Sequence, residues 1–132
     1  MTVGKTTRRP PCPRPADRAR TIAVRGGRAT LLRSDLETAD RVEPRLHHVH
    51  PDGAATVLLA DDHPLVDLAN RAPHGELGAM LELADRAPVA LREPVRGLLW
   101  ITGWLRPLSG AAARREALAV AETRPDSRLL DV

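Results

Sequence analysis

Residues 94–107 read Pro94-Val-Arg-Gly-Leu-Leu-Trp-Ile-Thr-Gly-Trp-Leu-Arg-Pro107, and the alternation inside this stretch decides the fold. On a strand over Val95–Leu105, Leu98, Trp100 and Trp104 share one face, and Leu99, Ile101 and Leu105 share the other. A strand that is apolar on both faces is expected to be buried on both. In a small barrel one face looks inward and the other meets a helix or a second subunit. Gly103 is the expected place for a bulge or a close backbone approach. Pro107 ends the strand, because it has no donor for a ladder.

Working back toward the N-terminus, Asp85–Pro94 holds two prolines and reads as a loop. Gly78–Ala84 alternates, with Leu81 and Leu83 on one face and Met80 and Glu82 on the other, as a half-buried strand does. Pro73-His74-Gly75 breaks a short helix opened by Pro64, whose stripe is Leu65, Leu68, Ala69 and Ala72. Pro44–His50 and Ala54–Ala60 are two strands of a hairpin turned by Pro51-Asp52-Gly53. Ser34–Glu43 is a polar loop and Arg28–Leu32 a short apolar strand. Ahead of it, Pro15 suits the first turn of a helix carrying Ala16, Ala19, Ile22 and Ala23, ended by Gly26-Gly27. On the other side, Ser109 is placed to cap a helix whose buried stripe is Ala113, Ala117, Val120 and Ala121. Pro125 ends that helix, and Arg128–Val132 reads as the start of a last strand. The expected class is mainly β with flanking helices, α+β.

The 132 residues suffice for one domain. Phe and Tyr are absent, and the two tryptophans are the only large aromatics, so the core must rest on Leu, Val, Ile and Ala. Such a core makes few contacts per residue, and burial against a second copy would add to it. Residues 1–20 hold Lys5 and five arginines against Asp17, a surplus of five, whereas the whole chain carries only +3. The remainder is therefore slightly acidic. We read 1–14 as a disordered basic arm and 15–132 as the domain. A basic tail without exposed aromatics to stack bases does not make a specific nucleic-acid binder. Cys12 is the only cysteine, so no intrachain disulfide can form, which fits a reducing compartment. No apolar run reaches membrane-spanning length. The expectation is a soluble, cytoplasmic chain that engages no membrane.

The order helix, strand, hairpin, helix, strand, long strand, helix resembles the flavin-binding split barrel of the pyridoxamine-phosphate-oxidase-like superfamily. The resemblance runs from about Ala16 to Leu130. It rests on Gly27-Arg-Ala-Thr-Leu-Leu32, the 44–60 hairpin, the helix after Asp62 and the 94–107 strand. It is strongest to the branch that includes haem-utilisation proteins, of which this chain looks like the barrel portion, with the C-terminal α/β extension of those relatives absent. The resemblance implies a homodimer holding flavin mononucleotide (FMN) in clefts between subunits, with Arg45, His50 and Arg96 in cofactor-binding positions. If the chain is an enzyme, it implies a flavin-dependent oxidoreductase. Haem is the alternative ligand in that branch, and a cofactor-free dimeric interaction module is the alternative function.

The residues themselves qualify the flavin reading. A phosphate needs donors and positive charge, yet Asp61-Asp62 precede the helix where the family usually offers hydroxyl and basic groups. Two carboxylates there stabilise the helix end. Each would repel a phosphate at about 4 Å by about 4 kcal/mol at an effective dielectric near 20. His48 and His50 share a strand face and His47 points the other way, but no neighbouring cysteine or spaced carboxylate completes a metal site. Ser34, Ser109 and Ser127 lie in no nucleophile elbow, and Cys12 has no base nearby in sequence. No phosphate-binding loop or dinucleotide fingerprint is present. No catalytic residue is therefore assigned.

Overall fold

The computed structural model describes residues 12–34, 41–90 and 92–132. Most of the arm expected over 1–14, and residues 35–40 of the Ser34–Glu43 loop, lie outside the described residues. The chain is α+β: α1 (Pro15–Arg25), β1 (Arg28–Arg33), β2 (Leu46–Val49), β3 (Ala55–Leu58), α2 (Pro64–Arg71), β4 (Leu77–Arg86), β5 (Val95–Leu105) and α3 (Gly110–Thr123). Short 3-10 turns follow α2 at Pro73–Gly75 and α3 at Ser127–Asp131. Helix α1 starts on Pro15 and stops at Gly26, whose φ of 60° lets its N–H reach back to the Ile22 carbonyl at 3.1 Å.

The strands form two antiparallel sheets, β1-β4-β5 and β2-β3. Leu81 stands opposite Leu31 on one side and Ile101 on the other, and Leu83 opposite Ala29 and Leu99. These side chains make the inner face of the larger sheet. Ile22 from α1, Leu65 from α2, and Val42, Val49, Val57 and Leu59 from the hairpin region pack against it. The core is thus the filling between the three-stranded sheet and the hairpin, and its apolar cluster is aliphatic, with no side chain larger than leucine or isoleucine among the described residues. Leu31 of β1 also makes an isolated antiparallel bridge to Val42, ahead of β2, and no ladder among the described residues links the two sheets. They do not join into a closed barrel among the described residues.

The expectation for β5 is corrected on one face. Leu99, Ile101 and Leu105 pack on the core, but Leu98, Trp100 and Trp104 are 49%, 59% and 75% exposed. The cause is topological. Strand β5 is the edge of its sheet, and α1, α2 and the hairpin all occupy the inner side. Helix α3 is engaged on the far side of the hairpin, so nothing within the described residues covers the outer face. Two smaller expectations also change. The irregularity falls between Asp85 and Arg86 of β4, opposite Arg96, and not at Gly103. Residues 127–131 form a 3-10 turn, because the Asp126 carboxylate accepts from the Arg128 backbone N–H at 3.0 Å and caps it. Ser109 holds the N-cap position of α3 without a side-chain capping bond, and only Val120 of the α3 stripe is fully buried.

Candidate functional site

The densest group of titratable side chains lies where α3 crosses the hairpin. Pairing sets Leu46 against Leu58, His47 against Val57 and His48 against Thr56. Because strand side chains alternate, His47 turns with Val49 and Val57 toward the core, while His48, His50 and Thr56 turn away from it. The face turned away meets α3. Glu116 and Arg124 are eight residues apart with Val120 between them, so all three share one helix face. Val120 is fully buried. Glu116 Oε1 lies 2.8 Å from His50 Nε2 and also accepts the Thr56 hydroxyl. Arg124 Nη1 donates to the His47 carbonyl at 2.8 Å. One turn later, Arg128 donates to the Arg45 carbonyl. Glu116 of α3, Arg124 at its C-cap and Arg128 of the following 3-10 turn therefore pin β2 and the residues on either side of it.

His50 Nε2 meets both Thr56 Oγ1 and Glu116 Oε1 at 2.8 Å. Only a protonated Nε2 satisfies the carboxylate, so the proton belongs on that nitrogen. A relay of the hydrolase kind needs the hydroxyl and the carboxylate on different ring nitrogens. Here both sit on the same one, and Thr56 is not activated as a nucleophile. The His48 and His50 rings stand edge to face, centroids 4.7 Å apart. Among the described residues, no group of three His, Cys, Asp or Glu side chains could hold a metal ion.

Burial lowers the pKa of His47, with Arg124 and His48 adding repulsion. His48 is also lowered, first by burial and then by His50 and Arg124. The Thr56 hydrogen bond is the largest cause holding the Glu116 carboxyl below its usual range, and His50 adds to it. His47 is only 8% exposed, and its Nε2 is buried without a hydrogen-bond partner among the described residues. A protonated imidazole there would be an unpaired buried charge beside Arg124. The sign of the pH dependence follows. In the unfolded chain these histidines take up protons near pH 6.5, whereas in the fold they do so only at lower pH. Their contribution is intact above about pH 6.5 and is lost as pH falls toward the folded-state values. That of Glu116 is present above its ordinary value and lost still lower. We expect the urea midpoint to fall between pH 7.5 and pH 5, and His47→Leu to flatten that slope. A midpoint independent of pH over this range contradicts the assignment.

The three residues expected to bind a cofactor are not brought together. Arg45 is exposed at the start of β2. Its guanidinium has no carboxylate partner among the described residues. His50, beyond the other end of the same strand and roughly 16 Å away along it, is engaged by Glu116 and Thr56. Arg96 donates to Asp85 at 3.0 Å. No hydrogen bond or ion pair joins any two of them among the described residues. Asp61 and Asp62 are exposed just before α2, whose N-cap is His63, with Nδ1 accepting from the Leu65 N–H at 3.1 Å. The residues present thus give a flavin phosphate one free guanidinium and two nearby carboxylates in the chain sequence. Sequence reasoning reached His50 but missed Glu116 and Arg124. The spacing Glu116–Val120–Arg124, a buried residue flanked by opposite charges on one face, was the available signal.

No helix among the described residues is long and apolar enough to cross a membrane. No protein-family model, curated protein or solved structure matches this chain.

Proposed function

We propose that this domain is one half of a homodimeric binding module of the split-barrel type, working in the cytoplasm. The observation that supports this best is the open outer face of the larger sheet, where Leu98, Trp100 and Trp104 stand exposed. An exposed apolar patch of this kind, centred on aromatics and rimmed by polar groups, is the ordinary mark of an interaction surface. No nucleophile, metal cluster or proton relay among the described residues speaks for catalysis by the chain's own side chains.

The second reading adds a ligand. The split-barrel resemblance names FMN first and haem second, and of the three positions it implies, Arg45, whose guanidinium has no carboxylate partner among the described residues, favours a phosphate. If flavin binds, redox chemistry belongs to it, and the chain supplies binding and orientation. Purified protein titrated with FMN, followed by flavin absorbance and fluorescence, decides this. The flavin reading expects saturable binding weakened by Arg45→Ala. Protein that stays colourless and leaves free flavin fluorescence unchanged leaves the cofactor-free module. A haem-binding module would instead shift the Soret band on haem titration.

A further inference from the structure

We propose that a second copy of this chain docks on the free edge of β5, strand against strand and antiparallel, with Ile101 on the two-fold axis. This rests on the homodimer reading above and names how the two copies meet. Strand β5 hydrogen-bonds to β4 on one side only. Among the described residues no strand lies on its other side, so a row of backbone donors and acceptors there lacks ladder partners. Proteins guard such edges with lysine, proline, bulges or inward charges. The irregularity opposite Arg96 guards only the start. From Gly97 to Leu105 the edge runs nine residues without a charged residue or a proline.

Charge decides between edge pairing and face-to-face stacking of the sheets. Glu82 lies on the outer face of the central strand, where its Oε2 accepts from Trp100 Nε1 at 2.8 Å and its Oε1 accepts from Arg41 Nη1 at 3.5 Å. Stacking two outer faces would bury two such ion pairs and strip their water, which Coulomb attraction repays only in favourable geometry. Edge pairing leaves both pairs wet while covering the tryptophans from the side.

The register follows from the same residues. With Ile101 on the axis, Trp100 lies opposite Thr102 of the partner subunit, and Leu98 opposite Trp104 of the partner subunit. On the inner side, Leu99 faces Gly103 of the partner subunit, and Gly103 has open space where a Cβ would stand. Centring on Trp100 would set Arg96 against Trp104 of the partner subunit, and centring on Thr102 would set Arg106 against Leu98 of the partner subunit. Only the Ile101 register keeps both arginines outside the paired stretch. At 59% and 75% exposure the two tryptophans offer on the order of 300 Å² per copy. Covered in full, together with Leu98, Thr102 and the edge backbone, they would approach the ~600 Å² per partner at the lower bound of specific interfaces.

Sedimentation equilibrium of the 132-residue chain over a range of concentrations tests this, with Leu98→Lys/Trp104→Lys as the blocking variant. Both side chains are exposed in the single chain, so the variant should keep the wild-type circular dichroism. The expected result is a wild-type dimer and a dissociation constant raised at least ~30-fold in the variant. Should the lysine variant fold poorly, oxidative cross-linking in a Cys12→Ser background decides. Trp100→Cys/Thr102→Cys should give a covalent dimer, while Thr30→Cys, on the same face but two strands away, should not. The reverse cross-linking pattern, or an unchanged dissociation constant in a folded lysine variant, overturns the edge pairing and leaves the dimer reading standing. A wild-type chain that stays monomeric at millimolar concentration overturns both.

Discussion

Replacing Gly27 with alanine should destabilise the domain by at least ~3 kcal/mol, the range of an unrelieved steric overlap in a packed interior. A Cβ built on Gly27 would stand 2.0 Å from the Ala84 carbonyl oxygen and 2.9 Å from its carbon. Both are backbone atoms of β4, the central strand, and cannot rotate aside as a side chain would. Gly27 lies between the end of α1 and the start of β1, so the overlap forces the helix away from the sheet or opens the β1–β4 ladder at Arg28–Ala84. At about 4 °C per kcal/mol for a chain of this size, the thermal midpoint falls by roughly 12 °C or more. Gly26→Ala is the instructive contrast. There a Cβ meets mainly the Arg124 guanidinium, 3.0 Å away on a side chain that can move, and the left-handed φ costs about 1–2 kcal/mol. A melt in which Gly27→Ala is no worse than Gly26→Ala would contradict the packing of α1 on β4.

Leu83→Ala should cost about 3 kcal/mol, within the 2–5 kcal/mol seen for buried leucines. Leu83 is fully buried on the central strand, between Ala29 and Leu99. A cavity there has poor neighbours for collapse. Ala29 is already small, and the core has no Phe or Tyr ring that could swing into the space. Leu118→Ala on the exposed side of α3, 67% exposed, should stay within about 0.5 kcal/mol. Urea unfolding of both variants at constant pH separates them, and equal midpoints would show that the sheet's inner face is not the core.

Much of the fold was legible in residue order because the deciding signals are local. Pro15 and Gly26 bracket α1, the alternation of Leu81 and Leu83 with Met80 and Glu82 fixes both faces of β4, and Pro51-Asp52-Gly53 turns the hairpin. Strand β5 shows where such reading stops. Its own residues give a two-sided apolar pattern, but whether each face is covered depends on elements supplied from elsewhere, and the described residues supply only one cover. At the C-terminus Arg128-Leu-Leu130 looks like a strand, but Asp126 caps a tighter turn first. The candidate site was half visible. Three histidines in four residues drew the eye to β2, but Glu116 reaches His50 across 66 positions and Arg124 reaches His47 across 77. The spacing of Glu116, Val120 and Arg124 marks one face of a helix, but it does not encode which strand a helix arriving that late in the chain will meet.

Both tryptophans sit on the single face whose covering is at stake, so the fluorescence emission maximum measured against protein concentration addresses the dimer directly. Dilute protein should emit at the long wavelength of water-exposed indole, then shift to shorter wavelength as mass doubles. Emission that is already short-wavelength in the monomer, or that stays long-wavelength while the protein dimerises, would contradict a module closed by its twin over Trp100 and Trp104.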